Sequence, residues 1–442
     1  MIENKKDIMD RMITKLNSIR PRKKEAGFFE VSRSNKNVMS KIRYVLDIGI
    51  DSFDSVTGGI PFGRITEIYG LDACGKTALA IRAAVRAQKR AIHEKLEDGT
   101  TRPIDKKSKV IVLYIDNEQS LDDGEKLVVD GEELDCIISR CDTIDQMFKM
   151  IDAAINEIAK EENEENKPFL VVIVDTIAST SSREEMTREW GKEDYARQPK
   201  QLREGFRTLM RNISRHNVCV ICTNQVSDNF KAAKGGYNKS KGGYNKSNLP
   251  QDTDFTAFGG KALRYYARLR IFMYLVREKY KLRKGALTSS GFVSGFYTRK
   301  NAQNWPSRDG RMVLIYGKGW DDQYSLLEQL IFYKFAETTE DGEIEFFFKK
   351  NGIPTTTFGE KSTSLEEDDE NEGKKKKKES NPFIENRGQW PIFYEEHKVD
   401  FDAMRAKMSA LLFTDEAEER VSIVQDDDDD AVDTDTEDVL KE

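Results

Sequence analysis

The stretch RITEIYGLDACGKT, Arg64 to Thr77, decides how the rest of the chain is read. Ile65, Thr66, Glu67, Ile68 and Tyr69 are strand formers and predict a short buried strand. Gly70 opens a turn that runs through Gly75, Lys76 and Thr77, and the helix-forming AlaLeuAlaIle follows from Ala78. This is G-x-x-x-x-G-K-T with a strand before it and a helix after it, the context in which such a loop cradles phosphate. Glycine at both ends lets the backbone bend until the N–H groups of Leu71, Asp72, Ala73 and Cys74 point inward at phosphate oxygens. The following helix adds the positive end of its dipole. Lys76 is placed to reach the β- and γ-phosphates, and the Thr77 hydroxyl to hold Mg²⁺. An incidental glycine-rich turn is the competing reading. Strand, spacing and GKT together favour the phosphate loop.

At 442 residues the chain exceeds one ordinary domain, so a large core with appendages is expected. A net charge of −7 excludes a uniformly basic nucleic-acid binder, and any DNA contact must be local. Five cysteines (Cys74, Cys136, Cys141, Cys219 and Cys222) show no disulfide-framework spacing, which fits a reducing cytosol. Cys219 and Cys222 fall in the apolar run ValCysValIleCys and read as buried strand residues rather than metal ligands. No apolar run approaches the roughly 18 residues of a membrane span, and the N-terminus shows no secretory pattern. A soluble cytoplasmic protein, of a bacterial cell or a phage-infected host, is expected.

Three further apolar runs organise the chain. Val110 to Ile115 predicts a strand buried on both faces, ending so that Asp116 and Glu118 stand at its C-terminal edge. In an open α/β sheet that edge is where ligands bind. Phe169 to Asp175 is a second such run and also ends in a carboxylate, the look of the strand that positions Mg²⁺ in phosphate-loop enzymes. A helix-capping aspartate is the alternative. Val218 to Cys222 is the next strand and ends in ThrAsnGln (223–225). Helices are expected between them, including Ile144–Ile158, and Asp98–Ser108 reads as a polar loop. Strands alternating with helices predict an α/β fold with a parallel sheet covered on both faces.

Two loops interrupt this order. The first, 181–197, is charged but contains Met186, Trp190 and Tyr195. The second, 226–258, holds LysGlyGlyTyrAsnLysSer twice in tandem, at 234–240 and 241–247. Lys234, Lys239, Lys241 and Lys246 suit phosphates, and Tyr237 and Tyr244 suit stacking on bases, the combination that single-strand binding uses. A basic low-complexity linker is the other reading. At the ends of the chain, Ile8, Met12, Leu16 and Ile19 recur at helical spacing and need a partner surface, in this chain or in a neighbouring subunit. Residues 361–380, with the lysine run 374–378, and the acidic tail 426–442 are expected to be disordered.

GlyGlyIleProPheGlyArgIleThrGluIleTyrGly (58–70), IleAspAsnGluGlnSerLeuAsp (115–122), the strand to Asp175, ThrAsnGlnVal (223–226) and GlyGlyLysAlaLeuArgTyrTyrAla (259–267) stand in the order seen in bacterial RecA. The chain resembles the RecA-type DNA recombinases of bacteria and bacteriophages over roughly residues 46–318. The resemblance implies a RecA-like P-loop NTPase core over that span, with a mainly parallel sheet flanked by helices. It implies an N-terminal oligomerisation segment (1–45) and a small C-terminal domain (319–425). It implies ATP and Mg²⁺, with Lys76 and Thr77 on phosphate and metal, Asp175 supporting the metal and Glu118 activating the attacking water. Asp122 and Tyr316 fall where the family contacts adenine, and Gln225 where it senses the γ-phosphate and begins the second DNA loop. Tyr195 falls near the base-wedging side chain of the first loop and Arg207 near a phosphate contact. Gly259 and Gly260 match backbone contacts, and Lys261 replaces a usual Asn. Lys300 lies in the segment through which a neighbouring subunit completes the ATP site, whereas the second expected lysine is Ala302.

The function so implied is a DNA-dependent ATPase that forms helical filaments on single-stranded DNA. It pairs that strand with homologous duplex DNA and exchanges strands, for recombination and repair. Single-strand-binding and loader proteins are candidate partners. A RecA-fold hexameric helicase and a non-catalytic single-strand-coating protein are the alternatives.

Overall fold

Continuous apolar strands need cover on both faces, and the central sheet has it. The computed structural model describes residues 42–96, 100–105, 107–121, 128–129, 132–161, 167–182, 197–228, 255–283, 286–355 and 382–412. The helical pattern of Ile8, Met12, Leu16 and Ile19, the 361–380 insert and the 426–442 tail lie outside these. So do Asp122, Tyr195, Lys234, Tyr237, Lys239, Lys241, Tyr244 and Lys246.

Among the described residues the large sheet has ten strands. They are β1 (Ile65–Gly70), β2 (Val110–Asp116), β3 (Ile137–Ser139), β4 (Phe169–Asp175) and β5 (Val218–Asp228), followed by β6 (Phe255–Ala257), β7 (Ala267–Arg283), β8 (Ala286–Asn301), β9 (Asp309–Ile315) and β10 (Gly319–Asp321). Their spatial order is β10-β9-β8-β7-β1-β5-β4-β2-β3, with β6 paired to β5. From β7 to β3 every pairing is parallel; from β7 to β10 the strands run antiparallel. The protein is therefore an α/β fold with a mainly parallel sheet.

Five helices matter for the site: α1 (Lys76–Gln88), α2 (Ile144–Ile158), α3 (Arg197–Ile213), α4 (Ala262–Tyr266) and α5 (Asp322–Phe332). Side chains alternate along each strand. Val171, Ile173, Cys219 and Ile221 accordingly join Leu79, Ala80 and Ala83 of α1 in one core. Leu170, Val172, Val174, Val218 and Cys222 join Ile151 of α2 and Phe206 of α3 in the other. The same alternation separates Cys219 and Cys222 to opposite faces, which removes any shared metal between them. Burial raises both thiols well above their ordinary pKa. Helix α2 starts where the sequence predicted because Thr143 and Gln146 close a reciprocal capping box around its first turn.

Two elements differ from expectation. Thr101–Pro103, read as loop, is a strand paired with Ile92–Lys95; all of its residues are exposed, so no apolar pattern marks it. Strand β5 runs on past Cys222 to Asp228 because Val226, Ser227 and Asp228 pair antiparallel with Ala257, Thr256 and Phe255. In the C-terminal region Ala336–Thr338, Ile344–Phe346 and Phe383–Ile384 form a small sheet. It packs on Trp390 and Phe401, with the Phe346 and Trp390 rings stacked at 5.4 Å. No helix among the described residues is long and apolar enough to cross a membrane.

Candidate active site

The C-terminal ends of β1, β2, β4 and β5 converge on a cavity of about 400 Å³. Asp72, Ala73, Gly75, Lys76 and Thr77 form its floor. The loop is bent by backbone that a side chain would obstruct. Gly70 has φ 153°, and a Cβ there would lie 1.9 Å from the Met273 carbonyl of β7. Gly75 has φ 93° and abuts the Trp320 ring. Carbonyls of the loop are engaged within the protein. Leu71 O accepts from the buried Cys74 thiol, and Cys74 O from Ser294. Lys76 Nζ reaches back to the carbonyls of Gly70 (3.1 Å) and Leu71 (2.6 Å), which lays its charge across the loop. The Cys74 side chain thus belongs to the core, and Cys74 is not among the residues that line the cavity.

Asp175 ends β4 at the wall of the cavity. Its carboxylate is held from both neighbouring strands. Tyr114 of β2 donates to Oδ2 at 2.8 Å and Thr223 of β5 donates to Oδ1. Burial and the adjacent carboxylate push the Tyr114 hydroxyl well above its ordinary pKa, so it remains a donor. The Thr77 hydroxyl lies 3.4 Å from the same Oδ1. A hydroxyl and a fixed carboxylate at this separation are hard oxygen donors of the kind Mg²⁺ takes when most of its shell is water and phosphate. The residues present therefore fit that ion.

Glu118 sits on a tight turn past β2. Asp116 shapes the turn by accepting from the backbone N–H of Ser120 and Leu121, and the N–H groups of Asn117 and Glu118 donate to Asp175 O. The Glu118 carboxylate stands over the cavity and accepts from Gln225 Nε2 at 2.8 Å. Burial, with the Asp175 charge behind it, raises its pKa; the Gln225 bond and Lys76 oppose that shift. A raised carboxylate beside a phosphate-sized space is what a proton acceptor requires. On the far side Phe292, Leu314 and Tyr316 supply an apolar shelf, the Tyr316 ring standing edge-on to Phe292 at 6.1 Å.

The remaining expected residues lie away from the cavity. Lys300 Nζ donates to the carbonyls of Arg264 and Tyr265 at α4 and does not line the cavity. Arg207 lies exposed on α3. Gly259 and Gly260, both with positive φ, lead into Lys261, which caps α4 and is exposed. These three stand where the chain re-enters from the second loop, whose β5–β6 ribbon begins directly after Gln225. Tyr114, Thr223, Phe292 and Leu314 were not singled out from sequence. Tyr114 had a readable signal, a hydroxyl in an otherwise aliphatic buried strand, which needs a partner.

The chain matches the RecA N-terminal domain family over residues 29–321. It is similar to Protein RecA of Marinobacter nauticus, 27% identical over 310 residues that cover 69% of this chain and 70% of the relative. It is also similar to Protein RecA of Thioalkalivibrio sulfidiphilus, 29% identical over 268 residues, covering 59% and 62%. Protein RecA of Laribacter hongkongensis is 26% identical over 322 residues, covering 71% and 76%.

Proposed function

We propose that this chain, which belongs to the RecA family, is an ATP-dependent recombinase that forms helical filaments on single-stranded DNA and exchanges strands with homologous duplex DNA. The observation that carries this reading is the bond from Gln225 to Glu118. One residue thereby touches the proposed water-activating carboxylate and begins the ribbon of the second loop. The loop backbone and Lys76 would hold the triphosphate, and the Phe292–Tyr316 shelf would take the base. Thr77 and Asp175 would hold Mg²⁺, which when bound neutralises charge on the phosphate oxygens. Glu118 would accept the proton of the attacking water. Gln225 would turn from Glu118 toward the γ-phosphate, an exchange open to an amide because it carries both donors and an acceptor. Phosphoryl transfer mostly needs positioning and charge stabilisation, and these residues supply both.

The lysines and tyrosines of the tandem repeat, with Arg207, Gly259, Gly260 and Lys261, are proposed to meet DNA. Lys300, held at α4 outside its own cavity, is proposed to reach the ATP of an adjacent subunit. Residues 1–45 are proposed to dock on that neighbour and 319–425 to form the C-terminal domain. The test is Lys76→Ala: the variant should neither form extended filaments on single-stranded DNA with ATP nor exchange strands. Retention of both activities overturns the reading.

A further inference from the structure

Glu67 of β1 and Arg270 of β7 form an ion pair in the middle of the sheet, Nε to Oε2 at 2.5 Å, with side chains 1% and 8% exposed. A buried pair of this kind gains little over well-packed apolar residues of similar volume, so stability is a weak account of its presence. Its geometry suggests another. The second oxygen of Glu67 accepts from Asn224 Nδ2 at 3.0 Å, and Asn224 is fully buried. The same amide nitrogen donates to Phe258 O at 3.0 Å, and Asn224 Oδ1 accepts from Gln225 N. Asn224 therefore holds both ends of the second loop: Gln225 where the chain leaves and Phe258 where it returns. Phe258 N closes the neck by donating to Gln225 O.

The network also reaches the phosphate loop. Arg270 lies 4.4 Å over the ring of Tyr69, the residue before Gly70. Tyr69 packs on Phe272, and Phe272 stacks on Phe255 of the loop ribbon at 5.7 Å. Val226 and Ala257 of the ribbon pack on the same aromatic group. Glu67 and Tyr69 share one face of β1, and that strand delivers the chain directly to Gly70. Polar and aromatic contacts thus run without a break from the residue before Gly70 to the loop neck.

We infer that Glu67, Arg270 and Asn224 are positioning residues that couple nucleotide binding to the DNA affinity of the second loop. This rests on the recombinase reading and adds the route by which the two sites communicate. Coupling is a thermodynamic quantity and it is reciprocal, so a residue that transmits it can be told from one that only supports the fold.

The experiment measures the affinity of the full chain for oligo(dT) with and without adenosine 5′-(β,γ-imido)triphosphate, and the affinity for that nucleotide with and without oligo(dT). Two variants are compared with the parent, Asn224→Leu and the double change Glu67→Leu with Arg270→Met. The expected result is that both coupling ratios fall together by about 5-fold or more, the lower end of typical couplings. Nucleotide affinity without DNA should stay near that of the parent. If Asn224→Leu does not melt cooperatively, the double variant decides, since it removes both charges and leaves the Asn224 amide in place. Unchanged ratios in a folded variant, with coupling present in the parent, overturn the inference. Absence of coupling in the parent overturns the recombinase reading instead.

Discussion

Gln225 Nε2 donates to Glu118 Oε1 across 2.8 Å, bridging the ends of β5 and β2 over the tip of the strand between them. The intervening tip is Asp175, so three strand ends present an amide and two carboxylates side by side. Because the amide favours the charged form of Glu118, this contact ties the protonation of that carboxylate to the residue that begins the β5–β6 ribbon.

A pH profile tests that link. Burial and Asp175 raise the pKa of Glu118, so it keeps its proton to higher pH than an ordinary carboxyl. The acid limb of turnover should therefore lie above the usual carboxylate range, with activity lost as pH falls through it. The Gln225 bond lowers that pKa, and Gln225→Ala should move the limb further upward. An acid limb that does not move would separate Gln225 from Glu118 in function. Glu118→Gln should reduce turnover about 10²- to 10⁴-fold at every pH, the usual range for loss of a positioned base.

Gly70 and Gly317 make a controlled pair. Both have positive φ, but a Cβ at Gly70 would overlap the Met273 carbonyl while one at Gly317 meets nothing within 4 Å. Gly317→Ala should cost about 1–2 kcal/mol, the backbone penalty alone. Gly70→Ala should cost roughly 1–3 kcal/mol more from overpacking and should also abolish nucleotide binding. Chemical denaturation of the two variants measures the difference. Equal stabilities would mean that β7 does not hold the loop at Gly70.

Tyr316 is 54% exposed yet lines the cavity beside Phe292, which suits a ring that covers a nucleotide base. Tyr316→Ala should weaken ATP binding about 10-fold, the equivalent of some 1.4 kcal/mol of lost stacking. Tyr316→Phe should restore it. Direct titration with nucleotide decides, and full affinity in the alanine variant would place the base elsewhere.

The tandem repeat lies outside the described residues, but its charge makes a solution prediction. Each phosphate contact on single-stranded DNA contributes about −0.7 to the slope of log affinity against log salt. Replacing Lys234, Lys239, Lys241 and Lys246 by Ser should flatten that slope by up to about 3 if all four engage. An unchanged slope would return the repeat to a linker.

What the sequence made legible, and what it hid, follows from how far apart the partners lie. Lys76 and Thr77 were readable because a phosphate loop is local, a strand, eight residues and a helix. Asp175 and Glu118 were readable because a continuous apolar run shows where a buried strand stops. The partners that orient them were not. Tyr114 and Thr223 meet Asp175 only through the strand order β5-β4-β2, which no local pattern specifies. Glu67 and Arg270 are 203 positions apart: a carboxylate in a short buried strand signals that it needs a partner, but nothing local says that Arg270 supplies it. Lys300 could be assigned to an ATP site from its segment, but only its bonds to Arg264 and Tyr265 put it outside the cavity of its own subunit.

The most direct test of the central claim is ATP turnover by the full chain with and without single-stranded DNA, with filaments imaged from the same mixture. A DNA-stimulated rate together with open helical filaments is the predicted result. A rate indifferent to DNA, or closed rings in place of helices, would contradict it.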